Sequence, residues 1–177
     1  MTNFKRYYLI LFVIFITLFS CHSKDKEQNL NEGLELTARL GGIIYLDTAS
    51  IFHVATTLSN PTKDTLSFVT MTCSYEDLFL TDTSLFKVQS RYDCFRNVPT
   101  VKSIPPYSKI DQFILIKPTN KDIILGNHKL KIGVYLMKPN IKNGFDGIIK
   151  QYENRNAANI LWSNELDLKR LYREIYK

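Results

Sequence analysis

The stretch KLKIGVYL, residues 129–136, alternates Leu130, Ile132, Val134 and Leu136 with Lys129, Lys131, Gly133 and Tyr135. Successive side chains of a strand point to opposite faces, so a period of two marks a strand with one apolar face. The same period returns on either side. Upstream, Leu34, Leu36, Ala38 and Leu40 alternate with Glu35, Thr37 and Arg39, until Gly41-Gly42 breaks the run and Ile43–Leu46 begins another. Phe52, Val54, Thr56 and Leu58 share one face of a further strand, which ends at Ser59-Asn60-Pro61. The segment NPTKD, 60–64, has turn chemistry and leads into Thr65–Met71, so 51–59 and 65–71 read as a hairpin. Downstream, Ile160, Trp162, Asn164, Leu166 and Leu168 keep strand spacing.

The middle of the chain is less regular. SYEDLFLTDTS, 74–84, loosens the pattern, which resumes at Leu85–Gln89. Pro99, Pro105 and Pro106 bracket a short strand that proline keeps out of a central ladder position. IDQFILIK, 110–117, is apolar on both faces and predicts a fully buried strand. Residues 138–158, rich in asparagine and carrying Gly144 and Gly147, read as a long polar loop. Leu168, Leu171, Tyr172 and Ile175 fit helical spacing, which allows a short C-terminal helix after the last strand. No other segment reads as a helix. Seven or more short, turn-bounded strands therefore predict an all-β chain folded as a two-sheet sandwich, with a lipocalin-like barrel as the alternative.

The N-terminus carries a different signal. Lys5 and Arg6 form a short positive segment, Leu9 to Phe19 an almost unbroken apolar run, and Leu18-Phe19-Ser20-Cys21 closes it. The run is too short for a ~30 Å hydrocarbon core and has the build of an export signal. The closing tetrapeptide resembles the lipobox of bacterial lipoproteins. That resemblance implies cleavage before Cys21, acylation of Cys21, and a chain tethered to the cell envelope. Removal of 1–20 takes Lys5 and Arg6 with it, and the formal charge falls from +6 to about +4. Residues 21–32, the lipidated cysteine and HSKDKEQNLNE, read as a flexible spacer, and 33–177 as the sandwich domain. No Asp follows Cys21, and Lys24-Asp25-Lys26-Glu27 loosely resembles the surface-export tag of Bacteroidota lipoproteins. The expected location is the outer membrane, with the leaflet left open.

Strand spacing, the Asn-Pro turn and the Pro-Pro-Tyr-Ser step before a buried strand resemble immunoglobulin-like or fibronectin III-like modules over roughly 34–168. They are also similar to small Bacteroidota lipoproteins of unassigned role, in which WSNEL, here 162–166, falls in the last strand. An immunoglobulin-like sandwich is what the resemblance implies.

Cysteine use fits export. With Cys21 taken by the lipobox, Cys73 and Cys94 remain as an even pair, and a disulfide is the expectation outside the reducing cytoplasm. Their spacing is not that of a zinc pair, and no histidine is near either one in sequence. The modest positive charge, without a Lys/Arg cluster interleaved with aromatics, gives no reason to expect nucleic-acid binding.

Chemistry is sparse. The sequence has no G-x-S-x-G elbow, H-E-x-x-H, P-loop or dinucleotide fingerprint, and nothing in it calls for a cofactor. His22 falls in the spacer, His53 in a strand opposite Phe52 and Val54, and His128 just before a strand. Glu76, Asp77, Asp82 and Asp93 cluster around the two cysteines, open to a calcium-site or glycosidase-like reading, although surface carboxylates are the simpler one. Tyr75, Phe79, Tyr92 and Phe95, with Arg91 and Arg96, flank the same cysteines. Tyr and Arg are favoured interface anchors, which makes Tyr75, Phe79, Arg91, Tyr92 and Arg96 candidate binding residues. The competing reading has the phenylalanines filling the end of the sandwich and the tyrosines capping it. The functional expectation is a membrane-tethered, non-enzymatic binding or structural module whose partner is an envelope protein or glycan. An inhibitor or immunity-type protein that neutralises an exported enzyme is the first alternative. A glycan-active enzyme using acids such as Asp77 and Asp93 is the second.

Overall fold

Lys129–Tyr135 form the middle strand of a three-stranded antiparallel sheet. The structure is a computed structural model that describes residues 30–46, 49–90, 97–120, 127–139, 144–154 and 159–168. The export signal, Cys21, most of the spacer, the segment 91–96 and the C-terminal residues 169–177 lie outside the described residues. Among the described residues the strands are β1 (Glu35–Leu46), β2 (Ala49–Asn60), β3 (Leu66–Met71), β4 (Phe79–Thr81), β5 (Phe86–Gln89), β6 (Pro99–Ile104), β7 (Ser108–Pro118), β8 (Lys129–Tyr135) and β9 (Ile160–Asp167).

The strands build two layers. One sheet has the order β1-β2-β7-β5, and the other β4-β8-β9, with every neighbouring pair antiparallel. A ribbon of β3 and β6 joins the second layer through a bridge, where Val69 N–H donates to the Met137 carbonyl at 2.9 Å. This is the ABED-against-CFG arrangement of the immunoglobulin-like sandwich. The expected all-β, immunoglobulin-like two-sheet fold is what the chain forms, and among the described residues the sheets do not close into a barrel.

The core lies between the layers. Leu36, Phe52, Val54, Leu58, Ile114 and Ile116 come from one sheet, and Leu130, Ile132, Val134 and Leu166 from the other. Phe52, Val54, Thr56 and Leu58 are all buried, as their shared face required. Leu30, which the sequence places with the spacer, sits in a single helical turn (Leu30–Gly33) and is buried in the same core.

Several sequence expectations change. The segments 51–59 and 65–71 are not a hairpin. Both edges of β2 are already occupied, by β1 and by β7, so β3 crosses to the other layer and pairs with β6. The turn itself is real: Asn60, 1 % exposed, donates from Nδ2 to the carbonyls of Asp64, Ile104 and Pro105, while its Oδ1 accepts from Thr62 N–H and Oγ. Turn residues reverse the chain but do not decide which strand pairs with which.

Gly41-Gly42 does not end a strand either. It is a bulge in one long β1, where the register slips between Leu40 and Gly42. β7 is buried on one face only, since Ile114 and Ile116 are inside but Phe113 is 45 % exposed. The 138–158 segment contains a helix, Gly144–Glu153. Its Asp146 lies in the first turn and Lys150 in the last, each suited to the helix dipole. Ile148 and Tyr152, four residues apart and so on one face, pack against the core.

Candidate functional site

β3 and β4 are two halves of one interrupted strand beside β8. Val69 bridges Met137, the chain then leaves the sheet, and pairing resumes at Phe79 with Val134. The excursion contains a 3-10 turn, Tyr75–Leu78, opened by a bond from Asp77 N–H to the Ser74 carbonyl at 3.0 Å. The turn places Glu76 inside, 1 % exposed, and leaves Asp77 outside. After β4 the chain turns through Asp82–Leu85 into β5 of the opposite sheet.

These pieces and the 144–153 helix enclose an open groove of about 500 Å³. Its lining includes Phe79, Phe86 and Val88, the acids Glu76, Asp77 and Asp82, and Ser84, Lys87 and Tyr152. Phe79 and Phe86 are core residues that supply an apolar floor. Parts of the rim are committed to the fold. Asp82 Oδ1 accepts from Lys131 N–H at 2.8 Å, and Asp82 N–H donates to the Lys131 carbonyl at 3.2 Å, so Asp82 extends the β4–β8 ladder. Thr81 Oγ donates to the Thr83 and Phe86 carbonyls. The helix side is fixed by Gln151, whose Oε1 accepts from Lys138 N–H at 3.1 Å, and by Tyr135 O–H, which donates to the Gln151 carbonyl at 2.9 Å.

The residues singled out from sequence are used differently from one another. Tyr75 is half-buried, and its hydroxyl donates to the Phe113 carbonyl of β7 at 2.9 Å, tying the two layers together. Phe79 is in the core and meets the groove from below. Arg91, Tyr92, Asp93, Cys94, Phe95 and Arg96 lie outside the described residues. The segment after 91–96 is pinned beside Cys73. Asn97 Oδ1 accepts from the N–H groups of Cys73 and Ser74, and Thr72 N–H donates to the Val98 carbonyl at 3.0 Å.

Of the four acids, Asp93 lies outside the described residues. Glu76, Asp77 and Asp82 line one groove, but no metal-holding group of three or more His, Cys, Asp or Glu occurs among the described residues. His53 stacks on Phe113 with ring centroids 5.0 Å apart, and His128 meets the edge of Phe86 at 5.8 Å. Both are packing contacts. Ser84, Lys87 and Tyr152 were not picked out from sequence. The run of acids and hydroxyls in 76–84 was the available signal, whereas Tyr152 is brought in only by the helix.

Comparison of the sequence with known protein families and with curated proteins gives no match.

Proposed function

We propose that the chain is a lipid-anchored, non-enzymatic binding module of a bacterial cell envelope, with the groove between β4, β5 and the 144–153 helix as its ligand site. The observation that carries the reading is the groove itself. A concave site of some hundreds of Å³ with an apolar floor and a few polar rim groups is the usual form of a small-ligand site. The sandwich supplies rigid strands and leaves contacts to the connections between them, the usual division of labour in such scaffolds. Anchoring rests on the positive segment, the apolar run and Leu18-Phe19-Ser20-Cys21. A Cys73–Cys94 disulfide would clip the loop beside the groove. In its favour, Asn97, three residues after Cys94 in sequence, stands hydrogen-bonded to Cys73 N–H.

Two measurements test this. Cys21→Ser is expected to move the protein from the membrane pellet to the soluble fraction, and continued membrane retention overturns the anchor. A photo-crosslinking residue at position 84, on the groove rim, is expected to give an adduct in intact cells that the same residue at Lys63, exposed in the 60–64 turn, does not. No adduct, or the same adduct from both positions, overturns the site.

A further inference from the structure

Resting on that reading of the groove, we propose that its ligand is a neutral saccharide, held between the Lys87 ammonium, the Ser84 hydroxyl and the Asp82 carboxylate. The groups that remain available select this chemistry. Thr81 Oγ and Asp82 Oδ1 are occupied by backbone partners, and Thr83 Oγ accepts from Leu85 N–H at 3.2 Å. Ser84 and Lys87 are exposed on the rim and make no hydrogen bond among the described residues, and the second oxygen of Asp82 likewise accepts none. The free set is thus a cation, a hydroxyl and half a carboxylate.

A simple anion drawn to Lys87 would also meet Asp82 and Asp77. A simple cation drawn to those acids would meet Lys87. A sugar hydroxyl both donates and accepts, so one ring can accept from Lys87 and donate to Asp82 without a charge penalty at either end. Bonds to charged protein groups are the stronger kind, which lets few contacts suffice. Below the rim, Phe79, Phe86 and Val88 with the half-buried Tyr152 offer an apolar surface for the C–H face of a sugar ring. The groove volume lies within the range of small-ligand sites.

The test uses the full chain in detergent micelles, labelled for ¹H–¹⁵N spectra and titrated separately with chitotriose, maltotriose and xylotriose. At least one is expected to shift the amide signals of Thr81–Val88 and Tyr152 in a saturable way, with half-saturation at or below about 1 mM. Lys87→Ala is expected to weaken that binding about tenfold, and Ser84→Ala several-fold, with the thermal midpoint unchanged. Selective, saturating shifts with trilysine or triglutamate instead of the sugars would overturn the proposal in favour of an ionic ligand. Groove shifts with an envelope extract but with none of the three sugars would overturn the saccharide while leaving the binding site standing. A groove silent to all of them would remove both.

Discussion

Asn164 closes one side of the sandwich with a side-chain amide that copies a strand neighbour. Its Oδ1 accepts from Ala38 N–H at 2.9 Å and its Nδ2 donates to the Ala38 carbonyl at 3.0 Å, so β9 is stitched to β1 where no ladder joins them. Asn164→Ala leaves both Ala38 groups without those bonds. A loss of about 2 kcal/mol in urea denaturation is the expected outcome, and a change within error would show that water replaces the amide without cost. Lys129 gives a second residue-scale test. Its ammonium donates to Glu165 Oε1 at 2.7 Å, and that bond together with the carboxylate charge holds the Lys129 pKa above the ordinary lysine value. The shift is upward, so its contribution is complete below the unfolded lysine value of about 10.4 and disappears as pH rises through the folded value. Lys129→Met should flatten that part of the alkaline stability curve. The effect is small, because both side chains are exposed. Neither asparagine hub was legible from sequence beyond turn or strand propensity. The partners of Asn60 and Asn164 are supplied by elements tens of residues away.

Elements show where local pattern is enough and where it is not. The alternation at 129–136 specified β8, its burial and its inward face, because a strand between two neighbours leaves little else for those leucines and isoleucines to do. It did not show why Gly133 breaks the outward row. A β-carbon there would lie 2.7 Å from Ile160 Cγ2 and 2.8 Å from the Trp162 ring, so the glycine makes room for Trp162 at the slip in the β8–β9 register. Gly133→Ala is expected to cost about 1–3 kcal/mol and to shift the emission of Trp162, the chain's one tryptophan. An unshifted emission maximum would mean that the ring is not what the methyl displaces. The 144–153 helix is hidden in the sequence because Gly144 and Gly147 read as loop residues. Its anchors, the Tyr135 hydroxyl and the Gln151 clasp on Lys138, belong to the end of β8 and the segment just after it. The 51–71 segment reads as a hairpin because turn chemistry is local, whereas the vacancy beside a strand is a property of the whole sheet.

For the whole molecule, the class of fold was readable from the count and spacing of strands, and the layer order was not. Of the site, Glu76, Asp77 and Asp82 were legible as acids near Cys73, but their meeting with β5 and Tyr152 depends on the sandwich being assembled. The proposed Cys73–Cys94 link acts at this scale, since it closes a loop running from the second layer through β5 of the first. Cys73→Ser, Cys94→Ser and the double variant should each lose roughly 3 kcal/mol, with the double no worse than either single. A double variant that loses the sum of the two singles would show that the cysteines are not partners.

The Asn164–Ala38 stitch joins residues 126 positions apart. The first strand of the sandwich therefore stays unsealed along one side until the last strand has arrived. Such distant pairings put the chain among slow folders, in the millisecond-to-second regime of β-sandwiches. A polypeptide emerging from its N-terminus has no early stopping point at which the barrel of side chains between the sheets is shut. If the chain is exported as proposed, that delay would leave it threadable until its final strand is released.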